Sequence, residues 1–242
     1  MYTLHIGNKN YSSWSLRPWV ILAALEIPFQ ERMHVFGPGF AARTAARSPT
    51  GKVPCLDDDG RIVWDSLAIA EYLAERHPGV WPQDPDARAW ARCAAAEMHS
   101  GFTALRTYCS MSCGQRVRLH THPEPLQRDL DRLVTLWTDG LQRFGGPFLA
   151  GDTFGAVDAF FCPVAFRIQS YGLELPAGPA QYAHRLLALP AMQRWYEEAL
   201  AEPWRDAPHE QEIASAGQIL ADLRAPLAAE HARFATPPAK HD

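Results

Sequence analysis

At 242 residues, 47% hydrophobic and 21% charged with a net charge of −4, the chain is long enough to bury a sizeable core in one large domain or two small ones. The slight acidity offers no basic footprint for nucleic acid. No apolar run approaches the roughly 18 residues of a membrane span, and the start lacks a basic-then-apolar leader pattern, so a cytosolic, non-membrane protein is expected. Five cysteines, Cys55, Cys93, Cys109, Cys113 and Cys162, are an odd number without two-residue spacing, which favours reduced, mostly buried thiols. His120 and His122 fall in a Pro-containing loop without metal-ligand spacing, so no metal is expected.

Tyr2 to Ile6 suits a first strand, and an apolar stripe at Leu16, Val20, Ala23, Ala24 and Ile27 marks a helix from about Trp14 to Glu26. Tyr11 to Trp19 is therefore a strand-to-helix turn. Ser12 and Ser13 stand at the positive end of that helix, where an anion can be held. Equally, Ser12, Ser13 or Ser15 can cap the helix, with Pro18 in its first turn. Residues 29 to 35 read as a second, edge strand and residues 40 to 47 as a short irregular helix. A loop at 48 to 52 leads into Val53-Pro54-Cys55-Leu56. Asp57 to Gly60 is a hairpin turn, Arg61 to Trp64 the returning strand, and Asp65-Ser66 opens a helix over Leu67 to Arg76.

Residues 77 to 85, with three prolines and a glycine, read as a linker. Beyond it the pattern is helical. Trp90, Ala94, Met98, Phe102, Leu105 and Cys109 form one stripe of a long helix. A second runs from Leu126 to Phe144; both are core faces at three- and four-residue spacing. Further helices are expected over 156 to 169 and 189 to 199. The polar, Pro-rich end reads as a frayed tail. The expected division is residues 1–77, a linker at 78–87, an all-helical unit at 88–224 and a tail at 225–242.

Taken in order, these motifs resemble the cytosolic glutathione transferases, and within them the serine-type, zeta-like bacterial group. Ser12-Ser13-Trp14-Ser15-Leu16-Arg17 is similar to the zeta Ser-Ser-Cys-Ser-Trp-Arg signature. Val53-Pro54 is similar to the cis-proline element, and Asp65-Ser66-Leu67-Ala68-Ile69-Ala70-Glu71-Tyr72-Leu73 to the Glu-Ser-x-Ala-Ile-x-x-Tyr-Leu block. The resemblance spans roughly residues 2 to 205. It implies a thioredoxin-like βαβαββα domain followed by an all-α domain, glutathione as co-substrate, no metal, a small electrophilic second substrate and a homodimer.

Carried over residue by residue, the resemblance makes Ser12 the thiolate stabiliser, with Ser13 supporting the sulfur or capping the helix. A free thiol near pKa 8.5 is only a few per cent ionised at neutral pH. A hydroxyl donating to sulfur at a helix N-terminus is worth about 2 to 4 kcal/mol in favour of the anion. A cis Val53-Pro54 bond presents the Val53 backbone to the cysteinyl part of glutathione. Ser66 at a helix start suits the γ-glutamyl carboxylate, Asp65 the ammonium group and Lys52 the glycyl carboxylate; Asp65-Ser66 also reads as a plain cap pair. Trp14, Phe36, His99, Arg106, Tyr108 and Arg167 are candidates for the electrophile pocket. Arg167 lies on the helix where related enzymes often contact an acidic substrate. Gly155 replaces the hydroxyl residue of the family's capping box, leaving only the reciprocal bond from Asp158.

Trp14 stands where zeta enzymes carry cysteine, which turns the expectation from maleylacetoacetate isomerisation towards conjugation in a more apolar pocket. Glutathione transfer to alkyl or aryl electrophiles is thus the leading reading. Glutathione-dependent cis-trans isomerisation and a non-catalytic binding protein are the alternatives. Tyr11 offers a second hydroxyl beside the serines but suits a wall.

Overall fold

The computed structural model describes residues 1–226. Its first third is a four-stranded sheet of order β2-β1-β3-β4, formed by β1 (Tyr2–Ile6), β2 (Phe29–Met33), β3 (Cys55–Asp58) and β4 (Arg61–Trp64). β1 and β2 are parallel, as the intervening crossover helix α1 (Ser13–Ala24) allows; β3 is antiparallel to both its neighbours. β1 ends in a continuous buried run, Leu4 to Ile6, whereas β2 alternates half-buried and exposed residues, as an edge strand should. The β3–β4 turn is tighter than the four residues expected. Asp59 and Gly60 make it alone, at φ 49° and 93°, the left-handed pair that a two-residue hairpin demands. With α2 (Phe40–Ala45) and α3 (Ser66–Ala74), the order is the anticipated βαβαββα of a thioredoxin-like domain.

The remainder is mainly helical: α4 (Pro85–Ser100), α5 (Thr103–Tyr108), α6 (Glu124–Phe144), α7 (Ala156–Tyr171), α8 (Ala177–Leu187), α9 (Pro190–Ala201) and α10 (Ala207–Ala216). Two corrections apply. The single long helix expected over residues 90 to 109 is broken between α4 and α5, where Gly101 is extended and Phe102 left-handed at φ 52°. The apolar stripe continues across the break because Phe102 and Leu105 stay buried, so periodicity alone conceals it. The unit is also not all-helical: β5 (Gln115–Leu119) and β6 (Gly217–Asp222) form an antiparallel pair. With partners a hundred residues apart and arginines in β5, no hairpin pattern announces them.

α7 is buried along nearly its whole length and packs against α1, so one apolar cluster runs from Leu4 and Ile6 through Trp19 to Phe161 and Trp137. Its start is organised by Asp158, which accepts from the Gly155 and Leu149 N–H groups, each at 3.0 Å, and from the Tyr182 hydroxyl at 2.8 Å. The reciprocal capping bond thus survives without a hydroxyl at Gly155. Burial pushes this carboxyl up to about 6. At the far end, Ala225 belongs to the fold rather than to a tail: its N–H donates to the Leu200 carbonyl at 2.7 Å and its carbonyl accepts from Arg205 at 2.7 Å. The rest of the expected tail, from residue 227, lies outside the described residues. Among those described, no helix is long and apolar enough to cross a membrane.

Candidate active site

The turn between β1 and α1 is polar yet buried: Asn8, Lys9, Asn10 and Ser12 are each under 10% exposed. Such a segment needs hydrogen-bond partners, and the C-terminal half supplies them. The Glu202 carboxylate accepts from the Lys9 N–H at 2.6 Å and from Asn8 at 3.4 Å; Asn10 donates to the Ala199 carbonyl, and Trp195 to the Lys9 carbonyl at 3.0 Å. The Tyr11 hydroxyl donates to Glu210 at 2.5 Å and accepts from Arg224 at 2.9 Å. Arg224 also pairs with Asp222. Burial, then Glu210, raises the Tyr11 pKa. That hydroxyl is committed to the C-terminal segment, which leaves Tyr11 a wall, as its place in the sequence suggests.

Ser12 occupies the N-cap position of α1 by backbone, but its hydroxyl makes no capping bond. It donates instead to the Ser15 hydroxyl at 2.7 Å, which in turn accepts from the Gly7 N–H at 3.1 Å. Pro18 is the sixth residue of α1, not part of its first turn. Above the serines opens a cleft of about 600 Å³. Ser12, Ser13, Trp14, Phe36, Lys52 and Val53 form one side; Arg106 and Arg167 come from the helical unit, and His209 and Glu212 from α10. Gly7 is required behind it, since a Cβ there would lie 2.5 Å from the Phe36 ring.

Val53-Pro54 is cis. Asp65 adopts φ 74°, ψ 136°, unusual for a residue with a side chain, and its carboxylate accepts from the Leu67 N–H at 2.8 Å. The other oxygen lies 3.6 Å from His99 Nε2, and His99 in turn packs edge-on against Trp14. Ser66 is 1% exposed with an unpartnered hydroxyl oxygen. Pro54, Asp65, Ser66 and His99 are not among the residues that line the cleft, although Val53 beside Pro54 and Trp14 against His99 are. Tyr108, 39% exposed, does not line it either.

Three arginines, Arg17, Arg106 and Arg167, lie close enough for their charges to act on one another, and two of them lie over the Trp14 ring. Arg17 is 1% exposed, its Nε and Nη1 have no hydrogen-bond partner, and its guanidinium lies 4.1 Å from the Trp14 ring and 4.9 Å from that of Phe160. Burial, then Arg167 and Arg106, pushes it down to about 9, against the favourable field of Asp65. Arg167 donates only to carbonyls, of Cys109 at 2.8 Å and Pro163 at 3.2 Å, and burial pushes it down to about 10. Arg106 lies over the Trp14 ring at 4.8 Å, its pKa lowered by burial. Buried cations without a carboxylate partner are costly, and they suit a site that receives an anion.

The cysteines are free. Cys93 is exposed and the other four buried; burial pushes Cys55 up to about 11 and Cys109 up to about 12, the wrong direction for a nucleophile. Sequence reasoning missed Ser15 as a partner of Ser12, Arg17 as an unpaired cation, and the contribution of α10. The Asp206-x-x-His209 spacing at the start of α10 was the available signal.

Comparison with known proteins bears on the family and the fold. Residues 11–76 match the glutathione S-transferase N-terminal domain family. The chain is 26% identical to glutathione S-transferase GstB of Escherichia coli, over 82% of this chain and 93% of that protein. It is 28% identical to maleylacetoacetate isomerase of Rattus norvegicus over 65% of this chain and 73% of the relative. Among solved structures it shares its fold with a diazinon-metabolizing glutathione S-transferase of the silkworm Bombyx mori, at a TM-score of 0.66 and 21% identity, covering 82% of this chain and 97% of that one. A Burkholderia glutathione transferase homologue, with bound glutathione, gives a TM-score of 0.61 and 24% identity over the same shares.

Proposed function

The chain belongs to the cytosolic glutathione transferase superfamily, and within it we propose a serine-type enzyme that joins the glutathione thiolate to a small, carboxylate-bearing electrophile. The observation that carries this reading is the Ser12 hydroxyl, buried at the head of α1 yet unused as a cap, lining a cleft shared with Arg106 and Arg167, neither of which has a carboxylate partner among the described residues. When sulfur enters, the Ser12 hydroxyl turns from Ser15 towards it, and Ser15 donates in its place. Residues 1–77 hold glutathione. Lys52 meets the glycyl carboxylate, the Val53 backbone beside Pro54 the cysteinyl portion, and Asp65 and Ser66 the γ-glutamyl end, where the orphaned Ser66 oxygen gains a partner. Ser13 flanks the sulfur. Residues 88–224 supply Arg106 and Arg167 for the acceptor's carboxylate, with Trp14 as the apolar floor. The assembly is a homodimer, which light scattering tests as twice the 27.0 kDa chain mass.

Cis-trans isomerisation is a second reading, favoured by the arginine cluster and by the likeness to maleylacetoacetate isomerases. Both reactions need the same thiolate. Product mass separates them, because a conjugate retains glutathione and an isomer does not. The test of the shared step is an ultraviolet titration of bound glutathione in wild type and Ser12→Ala. A hydrogen bond to a charged group is worth about 1.5–3 kcal/mol, so the variant should raise the thiol pKa by about 1–2 units. An unchanged thiol pKa removes Ser12 from the mechanism.

A further inference from the structure

We propose that His209, oriented by Asp206, is a proton-transfer residue of the cleft, taking the thiol proton of glutathione and delivering it to the α-carbon of a conjugated carbonyl acceptor. The inference rests on the glutathione-conjugating reading above and names the acceptor class it serves.

His209 lies in α10, beyond the stretch on which the family resemblance was built. Three observations converge on it. Its ring is sandwiched between Tyr11, at 4.9 Å and 19°, and Phe36, at 5.2 Å and 29°, so its plane is fixed. Asp206 is the N-cap residue of α10, but its carboxylate caps no backbone N–H; it accepts from His209 Nδ1 at 2.5 Å and is itself buried. With the proton held on Nδ1, Nε2 is the free basic nitrogen. It has no hydrogen-bond partner among the described residues, and the side chain lines the same cleft as Ser12 and Arg167. Through Tyr11 it stacks on the residue next to Ser12.

A base held by a carboxylate, facing a nucleophile site, is the arrangement of general acid–base catalysis. The step balances internally. The S–H bond breaks as the proton moves to Nε2, and the sulfur electron pair forms the S–C bond at the β-carbon. The C=C electrons pass into the enolate, and the Nε2 proton then forms the new C–H bond at the α-carbon. Aromatic substitution of chloride needs no such delivery.

The test compares two electrophiles in one preparation: ethacrynic acid, a carboxylate-bearing enone, and 1-chloro-2,4-dinitrobenzene. The ratio of their kcat values is independent of the fraction folded. In His209→Phe, which keeps the aromatic stack, the enone-to-aryl ratio should fall by about 100-fold. Imidazole in solution should restore part of the enone rate in His209→Ala. Asp206→Asn should lower enone kcat with little change in the KM for glutathione, and Asp206→Glu should recover it. A ratio unchanged in His209→Phe overturns the proposal while leaving the transferase reading intact. A wild type that conjugates neither electrophile overturns both.

Discussion

Replacing Arg167 with methionine should make the protein more stable and a poorer enzyme for anionic acceptors. Arg167 is 4% exposed and burial pushes its guanidinium well below its ordinary value, to about 10, which corresponds to about 3 kcal/mol of unfavourable interaction in the folded state. Against this stand two hydrogen bonds to carbonyls, each worth about 1 kcal/mol net. Methionine retains much of the packing volume, so a gain of about 1 kcal/mol is expected, or roughly 2–4 °C in Tm for a chain of this size. The catalytic effect has the opposite sign. Loss of a charge-assisted bond to a substrate carboxylate should cost about 1.5–3 kcal/mol, a 10- to 150-fold fall in kcat/KM for ethacrynic acid relative to 1-chloro-2,4-dinitrobenzene. Calorimetry and paired kinetics measure both effects on the same sample. A fall in Tm, or equal losses on the two electrophiles, would refute the idea that Arg167 is held uncompensated for an incoming anion.

Ser15→Ala removes the partner of the Ser12 hydroxyl and should raise the bound thiol pKa by about half a unit to one unit, less than Ser12→Ala, as followed by thiolate absorbance. Gly7→Ala places a Cβ 2.5 Å from the Phe36 ring and should cost about 1–3 kcal/mol in urea denaturation, with a raised KM for the electrophile. The Asp158 carboxyl, at about 6 against an ordinary 3.8, keeps a proton in the native state that the unfolded chain has already lost. Its contribution to stability is therefore full below about pH 4 and declines as pH rises through 6, by about 3 kcal/mol in all. The stability difference between wild type and Asp158→Asn should follow that course in urea titrations at stepped pH, and a flat difference would contradict it.

The thioredoxin-like half was legible because its signals are local. The strand-to-helix turn, Val53-Pro54, the Asp-Gly hairpin and the Asp65-Ser66 cap each sit within a few residues. The helical half was legible only where an amphipathic stripe ran unbroken, as in α6. The α4–α5 break hid inside a stripe that Phe102 and Leu105 continue, and β5 with β6 depends on a pairing that no nearby turn encodes. At the site, Ser12 and Arg167 could be picked out by type and position. The Ser12–Ser15 bond, the lack of partners around Arg17 and the approach of His209 to Tyr11 are facts of packing between distant segments. Tyr108, chosen for its chemistry, is exposed because helical spacing sets it about 200° around α5 from Arg106, which lines the cleft.

The clamp on residues 8–11 also bears on how the enzyme is made. Ser12 leaves the ribosome early, but Trp195, Glu202, Glu210 and Arg224, which satisfy the buried turn before it, arrive about 180 to 210 residues later. At about 5–20 residues per second, that is a delay on the order of 10 to 40 s, during which the Lys9 N–H, the Lys9 carbonyl and the Tyr11 hydroxyl lack these partners, although Asn8 can already accept from the Phe36 N–H. The nascent chain can thus form its sheet long before the turn ahead of Ser12 gains its last partner, Arg224.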